Sequence, residues 1–361
     1  MAHDKIVQVA LVGCGAVSQL YYTPALKELE RRKFLRVKAL LDPGPENLAQ
    51  LRKAFPTAVA VKNLGELTGP DIDLAIIASP PRCHAEQTIQ LLQAGLSVLC
   101  EKPMASSVAE GEAMIEAASA AEGLLAIGLF RRFFPATRTI CEILSHDILG
   151  KIKTFYCYEG GKFGWPVRSP SYFKKTAQGG VLSDIGVHLL DLLIWWWGRP
   201  AEVIYEDDAM EGIEVNCHLK LKFAQGFAGE VRLSRDCTMP NRYVIKGEKG
   251  WLSWNVNDAA GVQIGFGNTG FTLDGRLHHT VNQSGLPLLG IPAFNFEQSF
   301  ISQLSNIVAA LQGLEPLVIS GEQGLESLRL IEYCYHNRRL MPMPWLSEEE
   351  CRRARQLTVQ S

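Results

Sequence analysis

The chain has 361 residues, more than one core usually holds, so two domains of about 100–200 residues each are expected. Apolar residues make up 47% and charged residues 20%, which excludes a wholly disordered or fibrous chain. Thirty-six basic side chains stand against 38 acidic ones, a net of −2. This near-balance argues against a dedicated binder of nucleic acid or an anionic membrane, leaves a local basic patch open, and favours a small-molecule partner.

Met1-Ala2-His3-Asp4-Lys5 leads directly into an apolar run, with no basic segment and apolar stretch of a leader, so no targeting segment is expected. Ile6–Val12, Val37–Leu41, Ile72–Ala78, Ser97–Cys100 and Leu124–Leu129 read as strands. Most are nearly continuous in apolar residues, as strands buried on both faces are. Between them lie helical patterns at Val17–Arg32, Glu46–Ala54, His84–Ala94 and Val108–Ala121. Gly95 suits the residue after a helix, and Ser107 with Glu110 forms a capping box. The βαβα succession implies a parallel sheet with helices on both faces.

After about residue 131 the texture changes. Val215–Phe223 alternates in polarity, and Phe227–Leu233 and Tyr243–Ile245 follow, which predicts a mostly antiparallel sheet with one covered face. The other face is either solvated or a surface for a second subunit. Residues 255–295, rich in Gly, Asn and Pro, read as loop; helical periodicity returns at Phe296–Leu311 and Glu322–Arg338. The expected domains are 1–130 and 131–361. Leu189–Trp197 is too short to span a bilayer and carries Asp191. The nine cysteines are scattered, with no C-x-x-C spacing, so neither a disulfide framework nor a metal site is expected. Reduced thiols in a cytoplasmic protein are the simplest reading.

The first strand runs into Gly13-Cys14-Gly15-Ala16-Val17-Ser18. Two glycines between strand and helix allow a tight turn and close approach of a pyrophosphate, which then rests on the helix N-terminus. The alternative is an ordinary strand-to-helix turn. Asp42 ends the second strand, where an acid can bond the adenosine ribose hydroxyls or simply cap the next helix. Pro43-Gly44-Pro45-Glu46 offers no basic residue for a 2′-phosphate, which favours NAD over NADP. Ser79-Pro80-Pro81-Arg82-Cys83-His84 and Glu101-Lys102-Pro103 follow two further strands, at the ends where ligands bind in open α/β sheets. Lys102 beside a cationic ring could share a proton with a substrate hydroxyl, or it could be a solvated loop lysine. If Gly179–Asp191 is helical, Asp184, His188 and Asp191 share a face, suited either to proton transfer or to a self-satisfied buried pair. Gly186 in mid-helix implies close approach of a backbone or a ligand.

Together these segments, with Tyr22-Thr23-Pro24-Ala25-Leu26 and Gly179–Asp191, resemble the glucose–fructose oxidoreductase/inositol dehydrogenase/MocA (Gfo/Idh/MocA) family. The resemblance implies an N-terminal Rossmann domain and a C-terminal α/β domain with a large open, mostly antiparallel sheet. Through that sheet members pair as homodimers or homotetramers. It implies an NAD(P)-dependent oxidoreductase that moves a hydride between nicotinamide and a secondary alcohol or ketone of a sugar, inositol or related polyol. Lys102, Asp184 and His188 become the catalytic set. His188 takes the hydroxyl proton, Lys102 polarises the same oxygen, and Asp184 orients the sugar or the imidazole. Cofactor contacts are expected from Gly13, Cys14, Gly15, Ala16, Val17, Asp42, Ser79, Pro80, His84, Glu101, Lys102 and Arg132, and substrate contacts from Trp165, Tyr172 and Lys174. Phe130 departs from the pattern, since similar proteins often have a polar residue there. Lys174-Lys175 reads as a solvated pair, with an acidic substrate as the alternative, and Trp195–Trp197 as core and interface. A redox-neutral NAD-dependent glycosidase and a ligand-sensing regulator on the same fold are the competing functions.

Overall fold

The computed structural model describes residues 6–68, 71–166, 180–210, 212–267, 270–275, 295–344 and 346–359. The chain forms two compact units, Met1–Phe134 with His278–Leu328, and Pro135–Leu277 with Arg329–Ser361.

The first unit holds β1 (Val7–Val12), β2 (Leu35–Leu41), β3 (Val59–Val61), β4 (Leu74–Ile77), β5 (Ser97–Cys100) and β6 (Leu125–Ile127) in the order β3-β2-β1-β4-β5-β6. Every pairing is parallel. Each residue of β4, β5 and β6 is buried, which is why these strands are unbroken apolar runs rather than alternating ones. The strand order reverses between β1 and β4, and the crevice beyond their carboxyl ends is where this architecture takes its ligands. Connecting helices are α1 (Thr23–Arg31), α2 (Pro45–Ala54), α3 (His84–Gln93) and α4 (Val108–Ala120). Gly95 follows α3 at φ +84°, and Ser107 caps α4 by accepting from Glu110 N–H at 3.2 Å. The expected Val17–Arg32 helix is not uniform, because Ser18–Tyr22 forms a π turn before α1. Pro24 lacks the N–H that would return to residue 20, and the wider turn absorbs that missing bond.

α7 (Phe296–Leu311) and the first half of α8 (Gly321–His336) also belong to this unit. Between them Ile319 and Ser320 lie along β6: Ile127 N–H donates to the Ile319 carbonyl at 3.4 Å, and Ala126 bridges to Ser320. The returning chain thereby covers a sheet edge that would otherwise be open to mispairing. Phe130 finds its explanation here. It is buried, stacks on Phe300 at 4.9 Å and meets Phe296 and Phe134 edge-on, in a cluster that Tyr21 and Tyr22 also join. An aromatic ring at this position fits a neighbourhood that is itself aromatic.

The second unit contains α5 (Pro135–Ser145), β7 (Ile152–Gly160), α6 (Val187–Trp197), β8 (Glu202–Asp207), β9 (Asn216–Lys222), β10 (Ala228–Ser234), β11 (Arg242–Gly247), β12 (Gly250–Asn255), β13 (Val262–Phe266), β14 (Thr272–Gly275), β15 (Arg339–Leu340) and α9 (Glu348–Val359). Its strands run β14-β13-β12-β11-β7-β10-β9-β8-β15, antiparallel except at β7–β10 and β8–β15. Phe155, Leu219, Val231, Tyr243, Leu252 and Trp254 face the covered side. Tyr156, Tyr158, His218, Glu230, Arg232 and Lys246 face the other and are at least partly exposed. The loop expected at 255–295 is interrupted by β13 and β14, which extend the sheet at one edge; residues 276–294 lie outside the described region. Trp197 packs against Phe155, Phe223 and Phe227 at 5.0–5.3 Å, so this tryptophan serves the core.

Candidate active site

At the end of β1 the chain must turn sharply, and Gly13 does so at φ +91°, with the Ala78 carbonyl carbon 2.5 Å from where a Cβ would stand. Only glycine fits that position. Nothing lies within 4 Å of a Cβ on Gly15, so the loop there faces open space. Ser18 is fully buried and donates to the Gly13 carbonyl at 2.6 Å, which ties the turn to the helical segment behind it. A dinucleotide pyrophosphate fits this arrangement: an open glycine on a braced loop, leading into a helical N-terminus, with Ala16 and Val17 forming the first helical residues.

Asp42 stands beside the same loop. One carboxylate oxygen accepts from Cys14 N–H at 2.6 Å and the other from Gly44 N–H at 2.7 Å. These bonds fix the carboxylate and leave acceptor sites for ribose hydroxyls. Cys14 is a packing residue, its thiol pushed up to about 12 by burial and then by the Asp42 charge.

The loops after β4 and β5 are braced by His84 at the start of α3. Its ring nitrogens lie 2.8 Å from the Pro103 carbonyl and 2.8 Å from the Ser79 carbonyl, while Ser79 Oγ donates to Gln87. Burial outweighs those two carbonyls and pulls the His84 pKa below its usual value. The imidazole thus spends both nitrogens on the backbone and holds the two ligand-facing loops together. Pro80 is exposed in the first of these loops, and Lys102 is partly exposed in the second, ahead of a cis bond to Pro103.

Glu101 turns inward. Tyr22 donates to it at 2.6 Å, Lys102 N–H donates to its other oxygen at 3.0 Å, and it fills the space a Cβ on Gly128 would need. Burial raises its pKa, opposed by the Tyr22 bond and the Lys102 charge. It shapes the Lys102 backbone from behind. Arg132 is buried in the turn after β6.

The second unit carries Asp184 and His188. Leu182–Gly186 is a π turn that passes into α6, so the simple α-helical face expected for Asp184, His188 and Asp191 is re-set by the wider turn. His188 and Asp191 are buried and Asp184 is partly exposed. Gly186 is needed because the Leu182 and Leu233 side chains would lie 2.8 and 2.9 Å from a Cβ; among the protein atoms the close approach is made by side chains. Asp184 is paired with the guanidinium of Arg235, at the end of β10, which also lies 4.8 Å over the Phe163 ring. Sequence reading did not single out Arg235, since no motif marks it and the pairing spans two elements. Trp165 is exposed beyond β7; Tyr172, Lys174 and Lys175 lie outside the described residues.

The chain matches an oxidoreductase-family model with an NAD-binding Rossmann fold over residues 7–129, and the Gfo/Idh/MocA C-terminal domain over 137–253. It belongs to the Gfo/Idh/MocA oxidoreductase family. Its fold and family make it an NAD(P)-dependent oxidoreductase. It is 25% identical over 339 residues to scyllo-inositol 2-dehydrogenase (NADP(+)) of Bacillus subtilis, covering 90% of this chain and 92% of that one. Levoglucosan dehydrogenase, solved with NADH and levoglucosan, shares the fold with a TM-score of 0.79 at 19% identity, over 92% of this chain and 97% of the other. A 3-ketoreductase from Actinomadura kijaniata, solved with NADP, does so with a TM-score of 0.76 at 20% identity, over 94% and 100%. Among the described residues no helix is long and apolar enough to cross a membrane.

Proposed function

We propose that this chain is an NAD-preferring dehydrogenase or reductase acting on a secondary alcohol or ketone of a sugar, inositol or related polyol. Its catalytic set is Lys102, Asp184 and His188. The observation that carries this reading is the glycine loop at the β1–β4 switch point, open at Gly15, with Lys102 held at the end of neighbouring β5. The polyol class is supported by the inositol dehydrogenase among the relatives. NAD is supported by the fixed Asp42 carboxylate, which repels a 2′-phosphate, and by the lack of a basic residue at 43–46.

When bound, the nicotinamide supplies the hydride acceptor or donor. Lys102 hydrogen-bonds the substrate oxygen and stabilises the charge developing on it. His188 accepts the hydroxyl proton in oxidation and returns it in reduction. Asp184, paired with Arg235, orients a substrate hydroxyl or the imidazole. The half-exposed face of the large sheet, with Arg232 over Tyr158 and Lys246 over Tyr156 at 5.7 Å each, is the surface for a homodimer or homotetramer. Nine free thiols suit the reducing cytoplasm.

The test is NADH formation by near-ultraviolet absorbance, with NAD and then NADP, across inositols, aldoses, sugar acids and nucleotide sugars. Turnover that disappears in Lys102→Ala while nucleotide affinity persists is the expected result. Nucleotide binding without turnover on any of them would favour the redox-neutral hydrolase or the sensor. Binding of neither nucleotide would sink the reading.

A further inference from the structure

Glu214 precedes β9, belongs to no motif and is buried. Its carboxyl oxygen Oε1 accepts from Leu182 N–H at 3.0 Å and from Tyr335 O–H at 2.8 Å, and its backbone carbonyl accepts from Val181 N–H at 3.1 Å. A Cβ on Gly180 would fall 2.0 Å from the same carboxyl group, so Gly180 leaves the space that Glu214 occupies. Tyr335 is held in turn, edge-on to Tyr205 at 6.1 Å and under the Arg338 guanidinium at 5.9 Å.

The first N–H groups of a helical run have no partner inside the run, and its N-terminal end is partially positive. Here no side chain at the start of the run caps it. The partner comes instead from a buried acid a long way along the chain, although a local Ser or Asp would satisfy the donors with less desolvation. What the distant acid adds is a fixed point: it ties the start of the π turn to β9 and α8, two residues before Asp184 and six before His188.

We propose that Glu214, held by Tyr335, is a positioning residue that sets the orientation of the segment carrying Asp184 and His188. This rests on the reading of those two residues as proton-managing groups. The experiment compares Glu214→Ala, Glu214→Gln and Tyr335→Phe with wild type, using NAD and the panel polyol that turns over fastest. Rates are taken per NAD site titrated, so unfolded protein does not count. Glu214→Ala should lower kcat about 30-fold and leave KM for NAD within about twofold, because displacing reacting groups by an ångström costs that order of rate. Glu214→Gln keeps an acceptor for Leu182 N–H and should stay within about fivefold of wild type, and Tyr335→Phe should fall between the two. Adding Tyr335→Phe to Glu214→Ala should cost nothing more, because the two act in series. Hydrogen exchange at the Leu182 amide should quicken in the order of the activity loss. If Glu214→Ala does not fold, Glu214→Gln and Tyr335→Phe decide. Folded variants all within twofold of wild type would overturn the proposal, as would a loss falling equally on KM for NAD. Wild-type turnover insensitive to His188→Ala would overturn the parent reading, and this one with it. Turnover that needs His188 but not Glu214 overturns this one alone.

Discussion

Both units present a motif on a π turn with a buried Tyr–Glu pair behind it, and they differ in where that pair comes from. In the first unit Ser18–Tyr22 is the π turn, and Tyr22 itself holds Glu101, the residue next to Lys102. In the second unit Leu182–Gly186 is the π turn, but its supports, Glu214, Arg235 and Tyr335, come from other elements. A parallel sheet brings its strand ends together by its topology, so short local motifs suffice there. A long mixed sheet has no such built-in meeting point for its strand ends, and tertiary contacts must aim the helical segment that carries the motif.

Removing the chemistry should separate the two units most strongly. Lys102→Ala and His188→Ala should each lower kcat by about 10²–10⁴-fold, with NAD affinity kept in both, measured by steady-state rates and by binding. Equal loss of NAD affinity in His188→Ala would erase the division between a nucleotide side and a substrate side.

Arg235→Leu should come next. It strips Asp184 of its partner, and Asp184 is partly exposed, so thermal unfolding should report a loss of about 2 kcal/mol rather than the larger cost of a fully buried pair. Activity should fall with it, and Arg235→Lys should restore charge but not the stacking on Phe163.

Tyr22→Phe keeps the ring against Phe300 and deletes only the bond to Glu101, for a loss of about 1–2 kcal/mol. The loss should depend on pH with a definite sign. Burial raises the Glu101 pKa above its ordinary 4.5, so the stability it contributes is fully present below 4.5 and is lost as pH rises through its folded-state value. Without the Tyr22 hydroxyl that value rises further, so the gap between wild type and Tyr22→Phe should widen once pH passes the wild-type folded-state value. Chemical denaturation across pH 4–8 measures it, and a constant gap would mean that the bond does not favour the charged form.

Glu214→Gln supplies the smallest effect and the converse test. Burial raises the Glu214 pKa too, so wild type should lose stability relative to Glu214→Gln as pH rises above 4.5. A variant that gains stability at neutral pH yet loses activity would mark the carboxylate as kept for placement.

The sequence analysis located the strands of the parallel sheet from their unbroken apolar runs, missing only three-residue β3, which is too short to carry a pattern. It read Gly13, Gly15, Asp42 and Lys102 correctly as strand-end residues because each lies within a few residues of the strand that positions it. It missed both π turns, since a helical run with one extra residue in a turn keeps the same apolar composition. Nor did it show what braces the expected cofactor contacts Glu101 and His84: Tyr22 holds the Glu101 carboxyl group, and both His84 ring nitrogens meet backbone carbonyls.

The sequence by itself determined the Rossmann architecture, the family and the residues able to carry charge and protons, because periodicity and motif spacing are local properties of a chain. Tertiary structure alone decided that the segment around Ile319 closes the β6 edge, that Phe130 belongs to an aromatic cluster, and that Arg235 neutralises Asp184. It likewise decided that Glu214 lies where Gly180 has no side chain. These depend on residues far apart in sequence meeting in a packed interior, where a buried charge or an open sheet edge is costly unless a distant group arrives to satisfy it.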